Sequence, residues 1–231
     1  MAPQTLMVGR PRDARPEPVE GRSPVLRHGE DTYPALRVVH PSTGVDLDAA
    51  TQAAAAFLGA LGVDVDTESL AATPGRMARA YAEMFSPRPF DLTTFPNDAG
   101  YDELIIARSI PVQSVCEHHL LPFVGVAHVG YLPGERILGL SKLARVVELF
   151  ARRPQVQERL TQQVADWLQD QLAPRGVGVV VAAEHLCMTV RGVRASGANT
   201  VTSALHGQLR SDAASRAEFF TLIAAHEEAH R

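Results

Sequence analysis

The sequence has few cysteines, no long apolar run and no excess of positive charge. Only two of its 231 residues are cysteine, Cys116 and Cys187, so a disulfide framework cannot carry the fold. No stretch reaches the roughly 18 to 20 consecutive apolar residues of a membrane span. The N-terminus is too polar for the apolar core of a signal peptide. These absences predict a cytoplasmic protein with no membrane partner.

The charge balance and three missing motifs exclude further classes. Twenty-two lysines and arginines stand against 26 acidic residues, a formal net charge of −4, whereas proteins that bind nucleic acid through its phosphates are normally basic. We therefore expect no nucleic-acid partner. The sequence also lacks a Gly-x-x-x-x-Gly-Lys-Ser/Thr loop, a glycine-rich dinucleotide turn and the Pro-Cys-x-x-Cys segment of zinc deaminases. Any phosphate would be held by side chains and helix ends.

Proline is concentrated at the N-terminus. Seven of the sixteen prolines lie in residues 1–44, where apolar periodicity is absent. Such a segment buries too little apolar surface to offset its chain entropy, so we predict a disordered tail over 1–44 and one domain over 45–231. The domain begins with an alanine-rich helix over 46–61. A second helix follows, with Thr73 as its cap and Pro74 at its first position.

The pattern after Glu103 changes to strands separated by helices. Apolar and alternating runs predict strands over 104–115, 124–132, 136–140, 176–190 and 200–209. Helical spacing predicts helices over 155–172 and 211–226, and a third that begins at Ser141 as N-cap. Helix pairs between antiparallel strands indicate an α+β domain.

The densest chemical signal is Cys116-Glu117-His118-His119. A thiolate and an imidazole at i and i+3 can converge on one ion, which is a common half-site for zinc. Cys187 could complete the site, with His185 two residues before it on the same face of a strand. Two cysteines and one histidine leave a fourth position for water, which is the catalytic pattern. A single Cys-x-x-His is weak evidence, and we interpret His128, which alternates within a strand, as structural.

A second set of residues could meet an anion or a base. Ser141 stands at a predicted helix start, where free backbone N–H groups favour anions. Glu158 could accept from both the N1–H and the exocyclic amine of a guanine, with Gln157 beside it. For each of these side chains taken alone, an exposed position on a helix surface is the more common explanation. The basic candidates for phosphate are Lys142, Arg145, Arg191, Arg76 and Arg79.

Five segments, in this order along the chain, together resemble the GTP cyclohydrolase I family. They are Thr73–Arg76, the Cys-Glu-His-His loop within Ser114–Gly125, Gly139–Arg145, Arg153–Thr161 and Glu184–Val193. The resemblance covers about residues 47 to 226. It implies the tunnelling fold, with N-terminal helices over about 45–90 and antiparallel sheet backed by helices over about 100–228. It also implies a toroidal homodecamer with active sites where subunits meet.

The resemblance further implies an activity and a role for each site residue. Water would attack C8 of GTP, the imidazole ring would open with loss of formate, and the product would be 7,8-dihydroneopterin triphosphate, the first step of folate or pterin biosynthesis. Zinc would be held by Cys116, His119 and Cys187. His118 and His185 would move protons, and Ser141 would lie near the ribose and phosphates. The remaining contacts implied are Gln157 and Glu158 with guanine, and Lys142, Arg145, Arg191, Arg76 and Arg79 with the triphosphate.

Two alternatives stay open from the sequence. One is another pterin or purine enzyme of the tunnelling fold, although related enzymes with three zinc-binding histidines or a cysteine nucleophile lack this pairing of Cys-Glu-His-His with His-x-Cys. The other is a homologue that binds a pterin without catalysis. Release of formate from GTP would separate a cyclohydrolase from the non-catalytic homologue.

Overall fold

The structure is a computed structural model that describes residues 36–38 and 44–228. It is a mixture of helices and strands, as the sequence predicts. The strands are β1 (Leu36–Val38), β2 (Phe90–Leu92), β3 (Thr94–Pro96), β4 (Ile105–Cys116), β5 (Pro122–Leu132), β6 (Arg136–Leu138), β7 (Pro154–Gln155), β8 (Gly176–His185) and β9 (Thr200–His206). The helices are α1 (Leu47–Ala60), α2 (Thr73–Met84), α3 (Leu140–Ala151), α4 (Gln157–Leu172), α5 (Leu186–Thr189), α6 (Gly207–Ser211) and α7 (Ala213–Glu228).

A five-stranded sheet organises the domain. Its strand order is β7-β4-β5-β8-β9, and every pair is antiparallel except β4 with β7. Two small ribbons, β1-β2 and β3-β6, complete the strands described. The strand β1 lies within the predicted disordered tail, so that prediction is wrong for Leu36–Val38, while the rest of 1–43 lies outside the described residues. None of the helices described is long and apolar enough to span a membrane.

The valine-rich strand β8 explains how helices cover both faces of the sheet. Val179 and Val181 belong to the cluster that contains the buried residues of α3 and α4. Val180 belongs to a second cluster with Phe219 and Ile223 of α7. Successive side chains of a strand point to opposite faces, so a continuous apolar run is required where both faces are buried.

Two glycines make room for the helix α7. Gly130 of β5 and Gly178 of β8 are cross-strand partners. A Cβ atom at Gly130 would lie 2.9 Å from the ring of Phe219, and one at Gly178 would lie 2.8 Å from it. The Phe219 side chain fills this space and is fully buried. The pair of glycines therefore sets how closely α7 approaches the sheet.

Two predicted helix caps are wrong by one or two residues. The first helical residue of α2 is Thr73, after Ala72 at the cap position, and Pro74 follows in the first turn. The cap position of α3 is Gly139, and Ser141 is its second helical residue. Thr73 and Ser141, which were predicted as caps, are therefore already helical residues, and their hydroxyls lie inside the first turn. The cap of α1 is Asp46, whose side chain accepts from the Ala49 N–H at 2.9 Å.

The predicted strand over 176–190 ends early. The strand β8 stops at His185, and Leu186–Thr189 forms the short helix α5. Cys187 therefore does not share a strand face with His185, and the period-two argument for that pair is wrong. The helical turn changes the direction of the chain just after the sheet, and the Cys187 side chain points from that turn.

Candidate metal centre and active site

The ends of neighbouring strands bring the two cysteines together. Cys116 is the last residue of β4, and Cys187 follows the end of β8. The strand β5 lies between β4 and β8, with Phe123 paired to Ser114 on one side and to His185 on the other. The loop over residues 117–121, called the metal loop below, is tight, since the Cys116 N–H donates to Leu121 O at 2.9 Å. The strand register therefore places Cys116 and Cys187 at the same end of the sheet.

Cys116, His119 and Cys187 form the one group of three metal-type side chains within the part of the chain that the structure describes. Their ligand atoms all lie within 4.8 Å of one another, and Cys116 Sγ is 3.8 Å from His119 Nδ1. A tetrahedral zinc with bonds of about 2.3 Å to sulfur and 2.0 Å to nitrogen would place these two atoms about 3.5 Å apart. The geometry is consistent with a metal site.

The closeness of the two thiols also favours a bound cation. Burial raises the pKa of the Cys187 thiol, and a hydrogen bond to Cys116 and the charge of Cys116 raise it further. Two buried thiols side by side cannot both ionise unless a positive charge lies between them. A bound metal ion supplies that charge and deprotonates its thiol ligands.

His118 lies beside this group without belonging to it. Its side chain is 64% exposed, and its Nδ1 is 3.9 Å from Cys116 Sγ. The preceding residue, Glu117, makes a bidentate ion pair with Arg159 of α4, at 2.6 and 3.0 Å. The hydrogen bonds from Arg159 lower the pKa of Glu117. The ion pair ties the metal loop to α4 and leaves the His118 ring open to solvent.

His185 is held more firmly than His118. Its ring stacks on Phe123, and its Nε2 lies 2.8 Å from Gln157 Oε1. Burial lowers the pKa of His185, and the charge of Glu158 acts in the opposite direction. His185 is therefore a half-buried imidazole with a carboxylate nearby.

Gln157 and Glu158, adjacent at the start of α4, differ in exposure. Glu158 is exposed, so its carboxylate is accessible to a ligand. Gln157 is 1% exposed, and its Nε2 donates to Val181 O, at 3.0 Å, and to Thr200 O, at 2.9 Å. Because its amide is occupied by protein groups, the structure does not support the predicted direct contact of Gln157 with guanine.

The two residues predicted at the start of α3 are accessible. Ser141 is exposed and Lys142 is half-buried. The Lys142 N–H donates to Gly139 O at 2.8 Å, which closes the first turn of the helix. Both side chains project from the first turn, where the helix dipole favours an anion.

The predicted arginines fall into two groups. Arg145 Nη1 lies 3.2 Å from Glu148 Oε2, and the same carboxylate binds Arg88 twice at 2.8 Å. Arg191 lies near the metal group, with Nη1 3.5 Å from Cys187 O, where its charge lowers the pKa of the Cys187 thiol against the effect of burial. Arg145 therefore has an anionic partner within the chain, whereas Arg191 borders the cysteines.

Arg76 and Arg79 make local contacts on α2. Arg76 Nη2 donates to Thr73 Oγ1 at 2.9 Å and approaches Ser69 O at 3.4 Å. Arg79 lies against Gly75, whose added Cβ would be 3.3 Å from its Nη1. Both residues are exposed. The contacts described for these two guanidinium groups are all local to α2, and none joins them to the metal group.

A comparison with protein-family models identifies the chain. The model described as GTP cyclohydrolase I matches residues 50–224. This chain belongs to the GTP cyclohydrolase I family. The match includes the metal group, both flanking histidines and all of the predicted phosphate-binding residues.

Bacterial relatives of the family agree over most of the chain. A protein of Streptomyces avermitilis named GTP cyclohydrolase 1 is 58% identical over 174 residues, which is 73% of this chain and 86% of that one. The protein of the same name from Mycobacteroides abscessus is 55% identical over 80% of this chain and 93% of its own. The one from Corynebacterium glutamicum (strain ATCC 13032) is 52% identical over 78% and 95%. Among solved structures, the apo form of the archaeosine synthase QueF-Like has a TM-score of 0.36 and 19% identity over 45% of this chain and 93% of that chain.

Several side chains at the site of this family member were not predicted from the sequence. They are Phe123 under His185, Arg159 on Glu117, and Glu148 between Arg88 and Arg145. Phe123 carried a usable signal, since it is an aromatic residue on the alternating strand next to the metal loop. The Glu117–Arg159 and Arg88–Glu148 pairs join residues 42 and 60 positions apart in the chain, and no local pattern indicates them. Arg145 and Glu148 are three residues apart on α3, and that helical spacing could have indicated their pair.

A large cavity borders the metal loop on its other side. It has a volume of about 1040 Å³ and lies between α1, α2 and the loop after Cys116. Tyr81 is one of its lining residues, and the Tyr81 hydroxyl donates to Leu120 O at 2.9 Å. Its lining is mostly apolar and includes Phe57, Met77, Phe85, His118 and His119. The cavity therefore separates the helices α1 and α2 from the metal loop.

Proposed function

We propose that this protein is a zinc-dependent GTP cyclohydrolase. It would open the imidazole ring of GTP, release C8 as formate and close a new ring to give 7,8-dihydroneopterin triphosphate. The observation that carries the proposal is the group of Cys116, His119 and Cys187 with His118 and His185 beside it, in a member of the GTP cyclohydrolase I family. The net reaction consumes one water and changes no oxidation state overall, so no redox partner is needed.

The donor set suits zinc better than a hard cation. Two thiolates and an imidazole are soft and borderline ligands, whereas magnesium and calcium prefer oxygen. Cys116, His119 and Cys187 would hold the ion. Zinc bound there would supply a Lewis acid and lower the pKa of a coordinated water to about 7.

The two flanking histidines would move the protons. Ring opening requires addition of water at C8 and protonation of the ring nitrogens as their bonds to C8 break. His185 is half-buried and fixed by Phe123 and Gln157, which suits a group that must meet one atom of a bound base. His118 is exposed at the rim, which suits exchange of protons with solvent. Ser141 would lie near the ribose as the sugar rearranges.

The substrate would lie between a base end and a phosphate end. Glu158 is exposed near His185 and would accept from guanine N1–H and the exocyclic amine. Lys142 and Arg191 would meet the triphosphate from this chain. Arg145 would do so as well, since the Glu148 carboxylate already holds its side chain in one orientation.

We further propose the tunnelling fold and a toroidal homodecamer for the assembly, with a domain over 45–231 and a tail before it, apart from Leu36–Val38, which pairs with β2. Phe57 of α1 and Leu61, the residue after its end, are 55% and 65% exposed, and Val201 on the edge strand β9 is 63% exposed. These apolar side chains would be covered by neighbouring subunits. Arg76 and Arg79, which make local contacts within this chain, would then reach the triphosphate across a subunit interface.

Incubation with GTP tests the proposed activity. We expect equimolar formate and a product that becomes a fluorescent pterin after oxidation. Removal of zinc with a chelator should abolish both signals, and added zinc should restore them. GTP binding without formate release by the zinc-loaded protein would support a non-catalytic homologue and contradict the proposal.

A further inference from the structure

The side-chain amide of Gln157 has only one possible orientation. Its nitrogen lies 3.0 Å from Val181 O and 2.9 Å from Thr200 O. Backbone carbonyl oxygens only accept hydrogen bonds, so the amide group facing them must be the NH₂. A flipped amide would place its oxygen against both carbonyls. The Gln157 carbonyl oxygen, Oε1, therefore faces His185.

The hydroxyls behind this amide agree with that orientation. Thr161 Oγ1 donates to Gln157 O at 2.8 Å and lies 2.6 Å from Thr202 Oγ1. Because the Thr161 hydrogen is already used, Thr202 must donate to Thr161. Thr202 then has no hydrogen left for the Gln157 amide group 3.2 Å away, so that group must again be the NH₂, whose two hydrogens are shared among Thr202 and the two carbonyl oxygens. Every hydrogen bond in this series, from Thr161 of α4 to His185, therefore has a defined donor and a defined acceptor.

The amide in turn determines where His185 carries its proton. Oε1 of Gln157 is an acceptor, 2.8 Å from His185 Nε2, so Nε2 must be the donor. A neutral imidazole with a hydrogen on Nε2 has its lone pair on Nδ1. Stacking on Phe123 fixes the plane of the ring, with centroids 4.6 Å apart. The hydrogen bond to Gln157 fixes the rotation of the ring within that plane.

We propose that Gln157 is a positioning residue that holds His185 with its proton on Nε2, so that Nδ1 is the nitrogen presented to substrate. This inference rests on the proposed function for its consequence, while the tautomer itself does not depend on activity. Gln157 would act on the reaction through His185 and would not touch the base. Its removal should therefore lower kcat and leave the KM for GTP nearly unchanged.

Two substitutions separate this role from a purely structural one. Gln157→Met and Gln157→Glu both remove the hydrogen bonds donated to Val181 O and Thr200 O. Only Gln157→Glu keeps an oxygen that can accept from His185. A structural role, in which the amide merely joins β8 to β9, predicts a loss in Gln157→Glu at least as large as in Gln157→Met, because the carboxylate would face the two carbonyl oxygens. Positioning predicts that Gln157→Met loses about 10²-fold in kcat and that Gln157→Glu recovers much of that loss.

The readout that decides is the ¹⁵N spectrum of His185 in the full-length, zinc-loaded protein, assigned by subtraction of the His185→Asn spectrum. We expect a protonated Nε2 in the parent and in Gln157→Glu, and a mixture of tautomers in Gln157→Met. The matched control is Gln155→Met, since Gln155 is equally buried but donates to Phe150 O and Gln163 Oε1. That control should leave the His185 signals unchanged.

Two results would overturn the inference: a parent protein with the proton on Nδ1, or a Gln157→Met variant that keeps the parental tautomer and kcat. If Gln157→Met fails to fold, the parental spectrum still decides the first point. If the parent released no formate from GTP, the proposed function would fail while the spectrum still reported the tautomer. The two failures are therefore distinguishable.

Discussion

The ring of His185 lies flat on the ring of Phe123, with the two planes 9° apart. The contact follows from strand register, because Phe123 of β5 and His185 of β8 are directly opposed in the sheet. Phe123 is fully buried, so the stacking surface cannot move without disturbing the core. The same strand pairs with β4, which ends at Cys116. One rigid strand therefore positions both the stacked histidine and the start of the metal loop.

The metal group predicts about one zinc per chain, bound through Cys187. Cys187→Ser should lose zinc and formate release together, since removal of one of three ligands leaves the ion weakly held and badly placed. His206→Asn is a suitable control, because His206 pairs with Asp166 at the far end of β9. Elemental analysis measures zinc in each protein. A Cys187→Ser variant with parental zinc and activity would show that the ligand set is wrong.

The two flanking histidines should matter for rate and not for metal binding. His118→Asn and His185→Asn should each slow formate release about 10²- to 10⁴-fold, the range for loss of a general acid or base, while zinc stays near one per chain. His119→Asn, by contrast, should lose zinc. The opposite result, with zinc lost from His118→Asn and kept in His119→Asn, would exchange the roles of these neighbours.

Glu158 and Lys142 should affect substrate choice in different ways. Glu158→Gln should weaken GTP binding about 10- to 150-fold, the loss of a charged hydrogen-bond partner worth about 1.5 to 3 kcal/mol. Its preference for GTP over ATP or ITP should fall, because a carboxamide cannot accept from both donors of guanine. Lys142→Ala should weaken all three nucleotides alike, since the phosphates carry no base identity. Direct binding of GTP, ITP and ATP to both variants measures these effects. If Glu158→Gln kept the preference for GTP and Lys142→Ala lost it, the base end and the phosphate end of the substrate site would be assigned the wrong way round.

The glycines under Phe219 give a stability prediction. Gly178→Ala should lower the free energy of unfolding by about 1 to 3 kcal/mol, the usual cost of overpacking a core, because its Cβ would lie 2.8 Å from the Phe219 ring. Gly59→Ala is the control, since an added Cβ there has no neighbour within 4 Å in α1, and it should stabilise by about 0.5 to 1 kcal/mol. Denaturant unfolding measures both. Equal effects of the two substitutions would contradict the proposed fit of α7 to the sheet.

The carboxylate of Glu148 should make stability depend on pH. Burial raises its pKa, but the hydrogen bonds from Arg88 and Arg145 outweigh burial, and the pKa in the folded chain is lowered. A lowered pKa stabilises the fold above the unfolded value of about 4.3, and this contribution disappears as the pH falls through the folded value. Glu148→Gln should therefore cost about 1 kcal/mol at pH 7 and progressively less below pH 4. An equal cost at both pH values would mean that the charge contributes nothing.

Local sequence patterns were enough to predict most helices and strands and the candidate metal ligands. The alternating runs of β4 and β5 and the apolar stripe of α4 depend on neighbours within a few residues, so spacing alone reveals them. The Cys-Glu-His-His segment lies in one tight loop, and its i, i+3 spacing already implies a shared ligand position. The caps at Thr73 and Ser141 were predicted wrongly, since the exact first residue of a helix depends on what the preceding residue contacts.

Tertiary structure decided what these residues face. Gln157 and Glu158 are adjacent at the start of α4 and both looked suitable for reading a base. Consecutive helical residues point in directions about 100° apart, and the packing of α4 on β8 and β9 turned Gln157 inward to His185 and left Glu158 exposed. The sequence by itself determined which chemical groups are present and their local spacing. Only the fold, by burying one amide beside one imidazole, determined which of two neighbouring side chains could reach a ligand.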